Sequence, residues 1–177
     1  MSLLIVYGSI EGQTDKIARF IEKLTTEKGE DVRVIDTHNR TSDADFTGVD
    51  AVILAASVNE RRHSKRFDGF VTSKKAALDS RRMLMISVSE NAAFPEAHED
   101  AQDCLEEMRL RAEIDPDSEM LLAGAIRTRH YDYNATQVLK HVVLRGRTYG
   151  PSVQDHEFTD CGALGNGISA FLAGETI

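Results

Sequence analysis

Gly8-Ser9-Ile10-Glu11-Gly12-Gln13-Thr14 joins an apolar run at residues 3–7 to a segment, residues 14–28, that places Ile17, Phe20, Ile21 and Leu24 on one helical face. A buried strand followed at once by an amphipathic helix is the first half of a βαβ unit. The turn between them is suited to an anion. Ser9 and Thr14 carry hydroxyl donors, Gly12 admits close backbone approach, and the amides that open a helix lack partners within it. A phosphate monoester fits such a turn without Lys or Arg. The same residues also serve an ordinary strand-to-helix turn, in which Ser9, Gly12 and Thr14 satisfy only the helix's own first amides. Neither GxxxxGK(S/T) nor GxGxxG follows the first strand, so the spacing suits a mononucleotide rather than a triphosphate or a dinucleotide.

Outward from this turn the pattern repeats. Gly29 stops the first helix, and further apolar runs at residues 32–35, 51–56, 83–88 and 120–126 read as strands. Amphipathic stretches at 64–78, 96–111, 133–145 and 163–173 read as helices. The roughly fifteen polar residues between the second and third strands leave room for a short helix or none. Strands alternating with helices predict an α/β protein whose parallel sheet is covered on both faces.

The chain has 177 residues, 41% hydrophobic and 28% charged, with no low-complexity tract, which predicts a single domain over residues 1–177. A net charge of −8 argues against general nucleic-acid binding, which needs a basic face. Cys104 and Cys161 lack CxxC or Cys/His spacing, so free thiols are expected and neither a disulfide framework nor a zinc site. His63, His98, His130, His141 and His156 show no ligand spacing, so no metal is expected and most should lie at the surface. There is no basic leader ahead of the first strand and no apolar run of about 18 residues. The expected location is the cytoplasm, either in solution or peripheral to the inner face of the membrane.

Ser9-Ile10-Glu11-Gly12-Gln13-Thr14 resembles the (S/T)xxGxT loop through which flavodoxins hold the phosphate of FMN. The resemblance implies a flavodoxin-like three-layer sandwich with a five-stranded parallel sheet of order 2-1-3-4-5. Ligands of such sheets sit outside the strand carboxyl ends at the switch point. It implies FMN as cofactor, with Ser9, Ile10, Glu11, Gly12, Gln13 and Thr14 at the phosphate. The segments after the third strand (Ser57, Val58, Asn59, Glu60, Arg61) and the fourth (Ser87, Val88, Ser89, Glu90, Asn91) would lie along the flavin. Read without the resemblance, both are also consistent with solvated polar loops.

Over most of its length the chain is similar to one branch, the bacterial flavodoxin-type, quinone-dependent protoporphyrinogen IX oxidases. The similarity rests on Ala56-Ser57-Val58, His63-Ser64, Ser87-Val88-Ser89, Ala123-Gly124-Ala125-Ile126-Arg127 with Tyr131, and Glu157-Phe158-Thr159-Asp160. It implies an FMN-dependent oxidoreductase on the route to haem that takes hydrogen from a small reduced substrate and passes electrons to a quinone. Arg127, Arg129 and Tyr131 then become substrate contacts. The basic, amphipathic stretch around them either meets an anionic membrane or substrate carboxylates, or packs on the core with a solvated basic end. The chain departs from the branch at Asn59-Glu60-Arg61-Arg62, where aromatic residues are usual. It departs again in the acidic rather than basic residues 92–100, and at Cys161 in place of Trp. Two other functions suit the same residues: an electron carrier whose acidity docks it to a basic protein partner, and an FMN-free interaction module on this fold.

Overall fold

The computed structural model describes residues 1–39, 44–126, 156–175 and 177. Five parallel strands, β1 (Ser2–Gly8), β2 (Asp31–Asp36), β3 (Ala51–Asn59), β5 (Arg82–Ser89) and β6 (Ser118–Ala123), form a sheet of order β2-β1-β3-β5-β6. Counting parallel strands only, this is the expected 2-1-3-4-5. A sixth strand, β4 (Arg62–His63), folds back antiparallel on the end of β3. The helices are α1 (Gln13–Glu27), α2 (Lys65–Ser73), α3 (Lys75–Leu78), α4 (His98–Ala112) and α5 (Cys161–Ala173).

Alternation along each strand feeds two separate cores. Leu3, Ile5 and Tyr7 of β1 pack with Ile17, Ala18 and Ile21 of α1 and with Leu164, Ile168 and Phe171 of α5. Leu4 and Val6 face the other way, toward Phe67 and Val71 of α2 and Leu105 and Met108 of α4. The strands are therefore apolar on both sides, as a sheet covered by helices requires.

Several boundaries differ from the sequence reading. The helix expected over 64–78 is split at Lys74, whose ψ of 10° ends α2. The fifth strand does not run unbroken to Ile126. It leaves the parallel ladder at Gly124, whose N–H donates to the Ser89 carbonyl at 3.0 Å. The next residues, β7 (Ala125–Ile126), pair antiparallel with β8 (His156–Glu157). Among the described residues between β2 and β3 there is no helix. Phe46 and Val49 anchor that stretch in the α2-side core, and Arg81 donates to the Phe46 and Val49 carbonyls. The helix expected over 133–145 lies outside the described residues. Both cysteines are free, Cys104 buried and Cys161 exposed.

At Gly8 the sheet and α2 pack closely. A Cβ there would stand 3.0 Å from Phe67 Cβ and 3.2 Å from Thr37 Oγ1, neither of which sits on a flexible arm. Gly8→Ala should therefore destabilise the protein by about 1–3 kcal/mol, as forced overpacking does. A urea titration should show a lowered midpoint at unchanged slope, and an unmoved midpoint would mean that α2 yields without cost.

Candidate functional site

The carboxyl ends of three neighbouring strands come together in register. Gly8 of β1 lies beside Ala56 of β3, and Ser57 of β3 lies beside Val88 of β5. Ser57 Oγ donates to the Gly8 carbonyl at 3.5 Å. Past Gly8 the chain bends through the loop quoted above. Ser9 Oγ accepts the Gly12 N–H at 3.0 Å, and Gly12 takes a left-handed conformation with φ 82°. A Cβ at Gly12 would meet nothing within 4 Å, so glycine is required there by backbone conformation and not by crowding.

α1 begins at this loop with no side chain capping it, and its first intrahelical bond runs from Lys16 N–H to the Gly12 carbonyl at 3.3 Å. α2 and α5, by contrast, are capped by Ser64 and Asp160. Thr14, in the uncapped turn, is fully buried, and its Oγ1 has no hydrogen-bond partner among the described residues. A buried hydroxyl without a partner costs about 1–3 kcal/mol. Beneath the loop, Tyr7 donates its phenol to Asp15 Oδ1 at 2.5 Å. Burial, then this carboxylate, push the Tyr7 pKa up to about 12, so it stays a protonated donor.

The segments expected as loops after the third and fourth strands are continuations of those strands. Ser57, Val58 and Asn59 belong to β3, which closes on β4 through a two-residue turn, Glu60-Arg61, with φ of 50° and 63°. Hairpin turns of this hand normally carry Asn or Gly. α4 holds this one instead: the Cys104 thiol donates to the Arg61 carbonyl at 3.6 Å, and Arg61 pairs with Asp100 at 3.7 Å. Ser87 and Val88 lie within β5 and are buried. Val88 faces the α1 side, and Ser87 Oγ lies 3.1 Å from His63 Nε2. Only Glu90 and Asn91 follow the strand, Asn91 opening a short 3-10 turn, Asn91–Ala93.

His63, expected at the surface with most histidines, is 3% exposed. Burial, and then the nearby Arg111 guanidinium, hold its pKa down to about 4. His98, by contrast, is exposed. Two further features escaped the sequence reading. Phe94 and Phe158 meet edge to face at 5.6 Å, an aromatic pair beyond the ends of β5 and β6. Gln13 is buried, and its side chain donates to Glu157 Oε1 and Thr159 Oγ1, both at 2.9 Å, while Thr159 donates on to the Ala123 carbonyl at 2.8 Å. The turn that opens α1 is thus clasped to β8 and the residues just after it. Both features join residues far apart in sequence, so no local pattern announces them.

Arg127, Arg129 and Tyr131 lie outside the described residues. No group of three or more His, Cys, Asp or Glu that could hold a metal occurs among the described residues. None of their helices is long and apolar enough to cross a membrane.

The buried imidazole sets a pH dependence. His63 is neutral when folded but gains a proton near pH 6.5 when unfolded, so stability is lost as pH falls from about 6.5 to about 4. The loss over that window should be of order 3 kcal/mol. Urea unfolding at pH 7.5 and pH 4.5 should show it in the wild type and show it much reduced in His63→Gln. An equal loss in both proteins would assign the effect to other groups.

Comparison with known proteins agrees with this architecture. The family model described as Flavodoxin domain matches residues 4–152. The protoporphyrinogen IX dehydrogenase (quinone) of Escherichia coli strain K12 is 24% identical over 144 residues, which are 81% of this chain and 79% of that protein. Among solved structures, oxidised flavodoxin 1 of Bacillus cereus superposes with a TM-score of 0.60 at 14% identity, covering 98% of each chain. A short-chain flavodoxin associated with a bacterial microcompartment gives 0.61 at 12% identity, with the same coverage. The fold is flavodoxin-like, and the chain belongs to the flavodoxin domain family.

Proposed function

We propose that this chain, as one domain over residues 1–177, binds FMN at the carboxyl edge of its sheet and works as an oxidoreductase. The observation that carries the reading is the buried Thr14 hydroxyl, without a partner among the described residues, at the uncapped start of α1, beside a Gly12 that leaves open space. An FMN phosphate would take that hydroxyl and the first-turn amides of α1 as donors. Ser9 would hold the loop in shape through its bond to Gly12. On this reading Ile10, Glu11 and Gln13 complete the phosphate loop. Ser57, Val58, Asn59, Glu60 and Arg61 border the ribityl and ring on one side, and Ser87, Val88, Ser89, Glu90 and Asn91 do so on the other. Ser87 and Val88 act there through backbone or packing, because their side chains are engaged within the fold. The Phe94–Phe158 pair supplies apolar cover that the hairpin turn lacks.

FMN, when bound, supplies the redox chemistry itself. The protein's part is to hold it, exclude water and present it to partners. From the likeness to the Escherichia coli dehydrogenase we infer a protoporphyrinogen-type reductant and a quinone acceptor. Arg127, Arg129 and Tyr131 are the proposed substrate contacts. The proposed location is the cytoplasm or the inner face of the membrane. A second reading is an electron carrier with a basic protein partner. The exposed Glu99, Asp100, Asp103, Glu106 and Glu107 of α4 favour it, since such a surface steers a basic partner to its encounter.

Thr14→Val tests the cofactor claim with opposite signs in two assays. Without FMN the variant should match or slightly exceed the wild type in stability, because an unpaired buried hydroxyl is removed. FMN retention after reconstitution and gel filtration should fall, with affinity lowered about tenfold or more. Equal retention would sink the phosphate-loop assignment. The two functions then separate in turnover. An oxidase loaded with FMN and given a quinone should oxidise protoporphyrinogen faster than free FMN does. A carrier should show no such gain and should accept electrons in two separated one-electron stages.

A further inference from the structure

On the α2 side of the phosphate loop the surface opens into a cavity of about 340 Å³. Its lining draws on the turn after β2 (His38), the hairpin (Arg62, His63) and the start of α2 (Ser64, Lys65), with Ile10 from the phosphate loop. Neither Gly12 nor Thr14 lines it. In a chain of net charge −8 this pocket collects cations, with Glu60 the one carboxylate among the described residues of the lining.

Three observations give it a chemistry. Arg62 and Lys65 form no ion pair among the described residues. Arg62 influences Asp68 at a distance, but Asp68 is already bonded by Arg111 at 3.1 Å. The amides of Lys65 and Arg66 precede the first intrahelical bond of α2, from Asp68 N–H to the Ser64 carbonyl at 3.0 Å. Independently of the helix, His63 lines the pocket at 3% exposure, and its Nδ1 is buried with no hydrogen-bond partner among the described residues. Its Nε2 is taken up by Ser87. If Ser87 donates to Nε2, the neutral ring carries its proton on Nδ1, and an oxyanion in the pocket supplies the missing acceptor.

We propose that this pocket is a second oxyanion site, which takes the carboxylate or phosphate end of a small redox substrate or acceptor. Its position beside a flavin rests on the function proposed above, while its anion chemistry does not. Arg62 offers a planar fork for two oxygens, Lys65 a point charge, and His63 a directed donor that fixes the anion's depth. Asn59 and Glu60 form the wall shared with the flavin side, so an anion held here keeps the rest of its molecule next to that edge.

Succinate and inorganic phosphate, titrated at fixed ionic strength against chloride, are the probes. FMN-loaded protein should bind at least one of them and shift the His63 ring nitrogen resonances. Succinate alone assigns a carboxylate ligand, and phosphate alone a phosphoryl one. Arg62→Gln combined with Lys65→Gln, both at exposed positions, should weaken binding about tenfold or more while FMN content stays unchanged. Absence of binding, or binding indifferent to the double variant, overturns the site. So does binding that FMN displaces, since the pocket would then be part of the flavin's own place. If the wild type holds no FMN, the same titration is run on Thr14→Val. Binding that survives there and fails in the double variant upholds the site, and binding lost in Thr14→Val overturns it.

Discussion

Burial of a parallel sheet on both faces is the constraint on which the rest of the molecule depends. Leu3 to Tyr7, Val52 to Ala56 and Met83 to Val88 are enclosed by α1 and α5 on one side and α2 and α4 on the other. Groups that need water or a ligand are pushed to the strand ends. Because β1, β3 and β5 are adjacent and in register, Gly8, Ala56 and Ser87 arrive side by side at one edge. The position of the site is thus set by packing, before any residue in it is chosen for chemistry.

Residues at that edge are selected against the fold's own interests in several places. Among the described residues, Thr14 buries a hydroxyl without a partner, Glu60 and Arg61 accept left-handed backbone, and His63 buries an imidazole with one nitrogen unpaired. Each lowers stability by an amount of the order of 1 kcal/mol or more. α4 steadies the hairpin through Cys104 and Asp100, and Arg111 of the same helix reaches Asp68 on α2. One helix therefore supports the side of the site where local sequence is least favourable, a local conflict of the kind that collects at functional positions.

How much was legible follows from how far apart the interacting residues lie. The first strand, the loop and α1 are contiguous, so hydropathy and turn chemistry sufficed, and the apolar runs located every strand of the parallel sheet. The β3–β4 hairpin was not visible because Glu60-Arg61 lacks turn-forming residues and is held from α4. The burial of His63 was not legible because only the tertiary contact with Ser87 reveals it. Phe94 and Phe158 were plain in the sequence, but nothing local pairs them. Gln13 was counted in the anion-binding loop, and its side-chain partners Glu157 and Thr159 lie too far along the chain for any local pattern to name. The strand drawn to Ile126 was too long because apolar residues continue past Gly124 while the ladder does not.

The pairing of β7 with β8 holds Ile126 and His156 in one antiparallel register, and Thr159 and Gln13 fasten that register to the body of the fold. Gln13 belongs to the first turn of α1, and Thr159 stands two residues before α5 begins. The opening of one helix and the entry to another on the same face of the sheet are thereby one mechanical unit. A pull on Glu157 or Thr159 is felt at Gln13, and with it at the turn that Gly12 and Thr14 share.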